Sequence, residues 1–112
     1  MPVSNSFREY VAEQLGRVRP VTLRPMFGGI GIYVESAFFA LIAADVLYFK
    51  VDGSNRSDYT TAGMEPFRPF GPDTTAMQYY AVPADVLDDV DLLGPWMDRA
   101  IAVAHRKRAK RR

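Results

Sequence analysis

The sequence contains no cysteine. Disulfides, thiolate-bound zinc, iron–sulfur clusters and cysteine nucleophiles are thereby excluded, and a reducing, cytoplasmic compartment is the simplest setting. Histidine is nearly as scarce: a single one, His105, rules out a histidine metal cluster. No apolar run approaches the ~18 residues needed to cross a bilayer, and the first residues carry no charged-then-apolar leader, so neither a membrane nor a signal peptide is expected. What is present, 112 residues with 48% apolar and 24% charged side chains, suits one domain. A chain of this size buries on the order of two-thirds of the surface it exposes unfolded, enough for one core with little surplus.

The formal net charge of +1 conceals an asymmetry. Arg106, Lys107, Arg108, Lys110, Arg111 and Arg112 hold six of the 14 basic residues, leaving eight against 13 acidic residues, or −5, in positions 1–105. Like charges crowded into a segment whose one apolar side chain is Ala109 cannot offset the entropy of ordering by burial. The expectation is a folded domain over 1–105 and a basic, disordered tail over 106–112.

Ser6 followed by Glu9 has the spacing of a capping box and predicts a helix start. Phe7, Tyr10, Val11, Leu15 and Val18 then recur at helical intervals on one face, opposite Arg8, Glu9, Glu13 and Gln14. Gly16 lies near the expected end, and Pro20 imposes extended geometry on Arg19. From Val21 to Val51, β-branched and aromatic residues predict four strands, Val21 to Phe27, Gly31 to Val34, Ala37 to Ile42 and Val46 to Val51. Their turns fall at Gly28-Gly29, Glu35-Ser36 and Ala43 to Asp45, too short for anything but an antiparallel meander. In the last strand Leu47, Phe49 and Val51 share one face, Val46, Tyr48 and Lys50 the other. A short helix over Arg56 to Ala62 should stop at Gly63. Pro66, Pro69 and Pro72 confine Phe67 to Phe70 to an edge strand or irregular extended segment. Met77 to Val82 reads as a strand, Ala84 to Leu87 as a brief helix after Pro83, and Asp91 as the cap of a final helix from Leu92 to His105. Leu93, Trp96, Met97, Ala100, Val103 and Ala104 form its apolar stripe. The fold class is α+β: a mostly antiparallel sheet of five to six strands with helices packed on it, in the order α-β-β-β-β-α-β-β-α-α.

Few residues suggest chemistry. His105, at a helix end beside cations, is accounted for by solvent and the helix dipole. Asp85, Asp88, Asp89 and Asp91 lack the spacing of a calcium loop and read as caps and helix connections. The glycines of Met26-Phe27-Gly28-Gly29-Ile30-Gly31 are followed by a strand, without Gly-Lys-Ser/Thr, so they read as a hairpin turn and not a phosphate loop. Tyr33, Phe38, Phe39, Tyr48, Phe49, Tyr79 and Tyr80 fall on strands, yet only Lys50 and Arg24 accompany them, which favours core packing over base stacking. An enzymatic reading would require Lys50, Arg24 and aspartates to converge in a pocket. The basic segment divides between a solubilising end and a salt-sensitive nucleic-acid contact through Arg106, Lys107, Arg108, Lys110, Arg111 and Arg112. No catalytic residue, metal or cofactor is expected.

As a string, Arg24-Pro25-Met26-Phe27-Gly28-Gly29-Ile30-Gly31-Ile32-Tyr33, then Phe38 to Ala43, then Leu47-Tyr48-Phe49-Lys50-Val51 resembles the N-terminal domain of the TfoX/Sxy family of competence regulators. Phe67 after Glu65-Pro66, the run Met77 to Pro83, and Trp96 with Ala100 extend the resemblance over about positions 7–104. It implies an α+β domain without enzyme activity, and regulation of natural-transformation genes alongside the cyclic-AMP receptor protein. Full-length members carry a further, helical domain. The matching residues Met26, Phe27, Gly28, Gly29, Leu47, Tyr48, Lys50, Tyr79, Pro83 and Trp96 look like fold determinants, the glycines for the turn, Leu47 and Trp96 for packing. The expected function is therefore a cytoplasmic regulatory or adaptor domain acting by protein contact through a sheet face or edge, its partner a transcription regulator of the cyclic-AMP receptor type, with homo-oligomerisation open. The alternative is a non-specific nucleic-acid binder acting through its basic end.

Overall fold

The computed structural model describes residues 3–71, 73 and 76–110, with side chains described as far as Lys107. Helix α1 (Asn5–Val18) precedes a four-strand meander, β1 (Thr22–Met26), β2 (Gly29–Val34), β3 (Ala37–Ala43) and β4 (Val46–Lys50). Helix α2 (Arg56–Thr61) follows, then β5 (Tyr79–Ala81), α3 (Ala84–Asp88) and α4 (Val90–Lys110). All pairings are antiparallel and the strand order is the chain order, β1-β2-β3-β4-β5.

The α+β architecture agrees with the sequence reading; the sheet has five strands, and the order differs by one. Among the described residues the segment after Met64 forms no sixth strand, because Pro66 and Pro69 have no amide hydrogen to give to a ladder. It is tied to the sheet by one bridge, Pro66 to Tyr80, and by the Phe67 amide donating to Tyr79 O at 2.7 Å. Pro72 lies outside the described residues. The adjoining strand is correspondingly short, three residues in place of Met77 to Val82.

Two caps lie elsewhere than expected, for the same reason. Ser4, not Ser6, caps α1: its Oγ accepts from the Phe7 amide at 3.2 Å, while its own amide donates to Asp45 Oδ1 at 2.7 Å. Asp89, not Asp91, caps α4, its Oδ1 accepting from the Asp91 amide at 2.9 Å and more weakly from Leu92. In both cases the preceding polar residue takes the role, and Asp91 is left in the first turn, where its charge suits the helix dipole. Helix α4 also runs through Arg106 to Lys110, where the charge run suggested a disordered tail; Arg, Lys and Ala are good helix formers, and the helix they extend is anchored in the core.

The core lies between one sheet face and the helices. Ile30, Ile32, Val34, Ala40, Ile42, Leu47 and Phe49 meet Val11 and Leu15 of α1 and Leu93, Met97, Ala100, Ile101 and Ala104 of α4. Gln14, at the edge of the stripe formed by Val11 and Leu15, belongs to this buried side and not to the solvent face. Its Nε2 donates to Leu87 O at 2.9 Å and so satisfies a carbonyl of α3. Trp96 is half-buried, meeting Tyr59 edge-on at 4.7 Å between ring centroids.

One irregularity shapes the opposite face. Ile32 faces Ala40 but Tyr33 faces Phe38, so Phe39 is an extra residue in β3, a β-bulge. Phe39 and Ala40 are consequently both buried, while Phe38 and Leu41 are only half-buried and belong to the far side.

Candidate functional site

Among the described residues no helix packs across the far side of the sheet, though the end of α4 reaches its border. Its register is set by the meander: Arg24 opposite Gly31, Tyr33 opposite Phe38, Leu41 opposite Tyr48, Lys50 opposite Tyr79. Gly31 keeps the surface low at its centre. A Cβ there would stand 3.0 Å from Met26 Sδ and 3.3 Å from Phe38 Cε1, so the missing side chain is what lets those two side chains meet over the strand. The aromatic rings then form a row of three and a separate pair. Tyr33 and Phe38 stack at 5.1 Å, Phe38 and Tyr79 lie 5.7 Å apart, and Tyr48 packs on Phe67 at 4.7 Å. Burial by that packing raises the Tyr48 hydroxyl above its usual pKa.

Two cations are laid into this row. The Arg24 guanidinium sits 5.7 Å from the Tyr33 ring centroid; Lys50 Nζ is 4.9 Å from that of Tyr79 and 5.8 Å from that of Phe38, and it donates to Tyr79 Oη at 3.1 Å. Charge on this face thus interleaves with aromatics more closely than their sequence spacing suggests. Stacked against one another, however, the rings have already spent faces that a nucleobase would need.

A groove of about 830 Å³ is lined on this face by Met26, Phe38, Leu41, Phe67, Phe70 and Met77, and it reaches Ile30, Ile42 and Ala104 at the border of the core. Its volume is that of sites that hold drug-sized molecules or several side chains. Lys50 lies in it and Lys107, on the last turns of α4, borders it; no carboxylate is among its described lining residues. Around it the large apolar side chains are left open to water: Phe27 is 99% exposed, Phe70 85% and Met77 47%. Phe27 also occupies a left-handed conformation, φ 48°, followed by Gly28 at φ 79°. That two-residue turn accepts Asn or Gly without strain, whereas a bulky residue there is an outlier. Both its backbone and its exposed ring are costs that folding alone does not explain.

The residues singled out in the sequence divide between two tasks. The turn is Phe27-Gly28 and not the expected Gly28-Gly29, because Gly29 already pairs with Met26 as the first residue of β2; Leu47, Pro83 and Trp96 lie in or against the core. Met26, Phe27, Tyr48, Lys50 and Tyr79 belong to the open face. Phe70 is not singled out by the sequence, since a proline-rich stretch shows no periodicity that would place it, and Met77 reads there only as the start of a strand; Phe27 reads as the end of the first strand, whereas the structure puts it in the turn. Of the basic segment, Arg106 folds back on Asp52, Nη2 to Oδ2 at 3.1 Å, and on Ser54 Oγ at 2.7 Å. The Ser54 hydroxyl, then Arg106, hold the Asp52 carboxyl below its usual pKa despite partial burial. Lys107 is exposed at the groove; the side chains of Arg108 and Lys110 lie outside the described residues, as do Arg111 and Arg112.

The convergence that an enzymatic reading requires is not found among the described residues. Asp58 pairs with Arg99, Asp98 with Arg19, Asp52 with Arg106, and Asp88 accepts from the Tyr10 hydroxyl, and none of these carboxylates lines the groove that holds Lys50. No described group of three acidic, histidine or cysteine residues has the geometry of a metal site. His105 is exposed. No described helix is long and apolar enough to cross a membrane.

A family model described as the TfoX N-terminal domain matches residues 13–104, most of the 112-residue chain. No curated protein matches.

Proposed function

Given that the chain belongs to the TfoX N-terminal domain family, which is not a known enzyme family, we propose that it is a non-enzymatic regulatory or adaptor domain that works by protein contact through its open sheet face. Transcription co-regulation, with competence as the process and a regulator of the cyclic-AMP receptor type as partner, is the form of this reading that the family resemblance favours. The observation that supports it most is the groove itself: aromatic and methionine side chains held open to water, including a fully exposed Phe27 in a strained turn. Flexible thioethers and rigid rings are the side chains that contribute most to protein contacts.

The test is site-specific photocrosslinking in cells from a benzoylphenylalanine at position 70, compared with one at the exposed position 13 on α1. Crosslinks to a protein from position 70 and not from 13 are expected. Equal labelling from both, or none from position 70, overturns the reading.

A second reading has its own support: helix α4 carries Lys107 to the mouth of the groove and continues to Lys110, so the basic segment extends one element of the fold. If that segment binds nucleic acid, removing residues 106–112 abolishes retention on DNA and flattens its salt dependence. Retention equal to that of the whole chain rejects it.

A further inference from the structure

Resting on the protein-contact reading, we infer that the occupant of the groove is a short amphipathic helical segment with acidic side chains, supplied by a partner protein. Three features of the face select that chemistry. The charged groups described along the groove are Lys50 and Lys107, with Arg24 over Tyr33 at the neighbouring edge, and carboxylates are absent from its described lining. An occupant bringing Asp or Glu to these positions gains attraction; one bringing Lys or Arg is repelled. The apolar lining includes two methionines, Met26 and Met77, whose flexible thioethers accommodate a row of aliphatic side chains. The dimensions suit one helix. Five strands about 4.8 Å apart make a face roughly 20 Å across, the length of about 13 helical residues.

The competing occupants fit less well. A second copy of this chain would bring the same cations against Lys50 and Lys107. Pairing of sheet edges is obstructed by Pro25 in β1 and by the segment at Pro66 and Phe67 that covers β5. Bases of a single strand would have to displace rings already stacked on one another. A small apolar molecule lying on the floor would leave Phe27 and Phe70 uncovered at 99% and 85% exposure. A helix laid across the face reaches both, in the way that an amphipathic helix seats its apolar stripe in a groove.

The experiment is a selection from a random display library of peptides about 14 residues long on the full chain. Methyl NMR of Met26 and Met77 then locates the selected peptides, with a single-stranded oligothymidylate as a parallel probe. Enriched peptides should combine apolar residues at three- and four-residue spacing with Asp or Glu. Their affinity should fall at least about tenfold in Phe70→Ser, in Phe27→Asn and in Lys107→Glu, and should weaken with added salt. Phe27→Asn separates binding from folding, because Asn suits the turn: the variant should bind worse while melting no lower than the parent. Enriched peptides that are neutral or basic, or an affinity unmoved by Lys107→Glu, overturn the acidic occupant and leave the protein-contact reading standing. If no peptide is enriched, or if the oligonucleotide and not the peptides moves the two methyl signals, both fall.

Discussion

Gly29 and Gly16 lack the same side chain for opposite reasons. A Cβ at Gly29 would lie 2.5 Å from the backbone oxygen of Ile42, and neither backbone can move without opening the β2–β3 ladder. Gly16 is an exposed residue of α1 whose added Cβ meets nothing within 4 Å. Gly29→Ala should therefore cost about 1–3 kcal/mol, as overpacking does, and Gly16→Ala should gain about 0.5–1 kcal/mol of helix propensity. Urea denaturation of the two variants checks the opposite signs. Tyr59 supplies a second residue-scale test. Its hydroxyl is buried without a hydrogen-bond partner among the described residues, and burial raises its pKa well beyond the ordinary tyrosine value of 10.0. A group that keeps its proton longer when folded contributes stability below its unfolded pKa and loses it as pH rises above that value. Thermal unfolding should thus begin to fall near pH 10 in the parent and fall less in Tyr59→Phe. At neutral pH the same variant, relieved of an unsatisfied polar atom, should be equal to the parent or more stable by up to about 1 kcal/mol. A loss of stability in Tyr59→Phe at pH 7 would show that the hydroxyl has a partner after all.

Among the helices, α2 is the least secured by burial, with Tyr59 its one buried side chain, and its entry depends on Asn55. Asn55, 1% exposed, accepts from the Asp52 amide at 2.9 Å and donates to Lys50 O at 3.2 Å, bracing the exit of β4 against the entry of α2. Asn55→Ala leaves both backbone groups without that partner and should cost about 1–3 kcal/mol. Amide exchange should quicken first in α2, where Tyr59 is the one buried side chain. Exchange quickening equally in all elements would instead mean that α2 does not open separately from the core. The elements also show how far local pattern reaches. Turn chemistry and alternation were enough to order β1 to β4 within one or two residues at each end. Cap identity was not, because Ser4 is held by Asp45, a residue 41 positions away. Nor was the side on which Gln14 lies, because its amide is satisfied by Leu87 O on another helix.

Over the whole molecule, covering is one-sided. Helices α1 and α4, with α3 against them, occupy a single face, and their buried side chains end at Ala104. Beyond that residue the Arg106–Asp52 ion pair, with both side chains more than a third exposed, is the described tether to the sheet side. Removing residues 106–112 should therefore preserve the fold, with a loss of no more than about 1 kcal/mol. Circular dichroism and thermal melting check this, and collapse of the truncated chain would show that the basic segment is structural. The residues that line the groove were all visible in the sequence; their grouping was not. Alternation in a strand states that two faces exist and that Leu47 and Phe49 oppose Tyr48 and Lys50, but it is silent on which face a helix will cover. The bulge at Phe39 adds a reversal that strict alternation does not anticipate. The order of β1 to β4, helix number and the exclusion of thiol and histidine-cluster chemistry were settled by the amino-acid string, since turns, periodicity and side-chain inventory act between near neighbours; the place of β5 beside β4 was not. The open face, with Phe27, Phe70, Lys50 and Lys107 around one groove, was decided only in three dimensions, because it depends on where distant amphipathic elements bury their own apolar stripes and on what they leave bare.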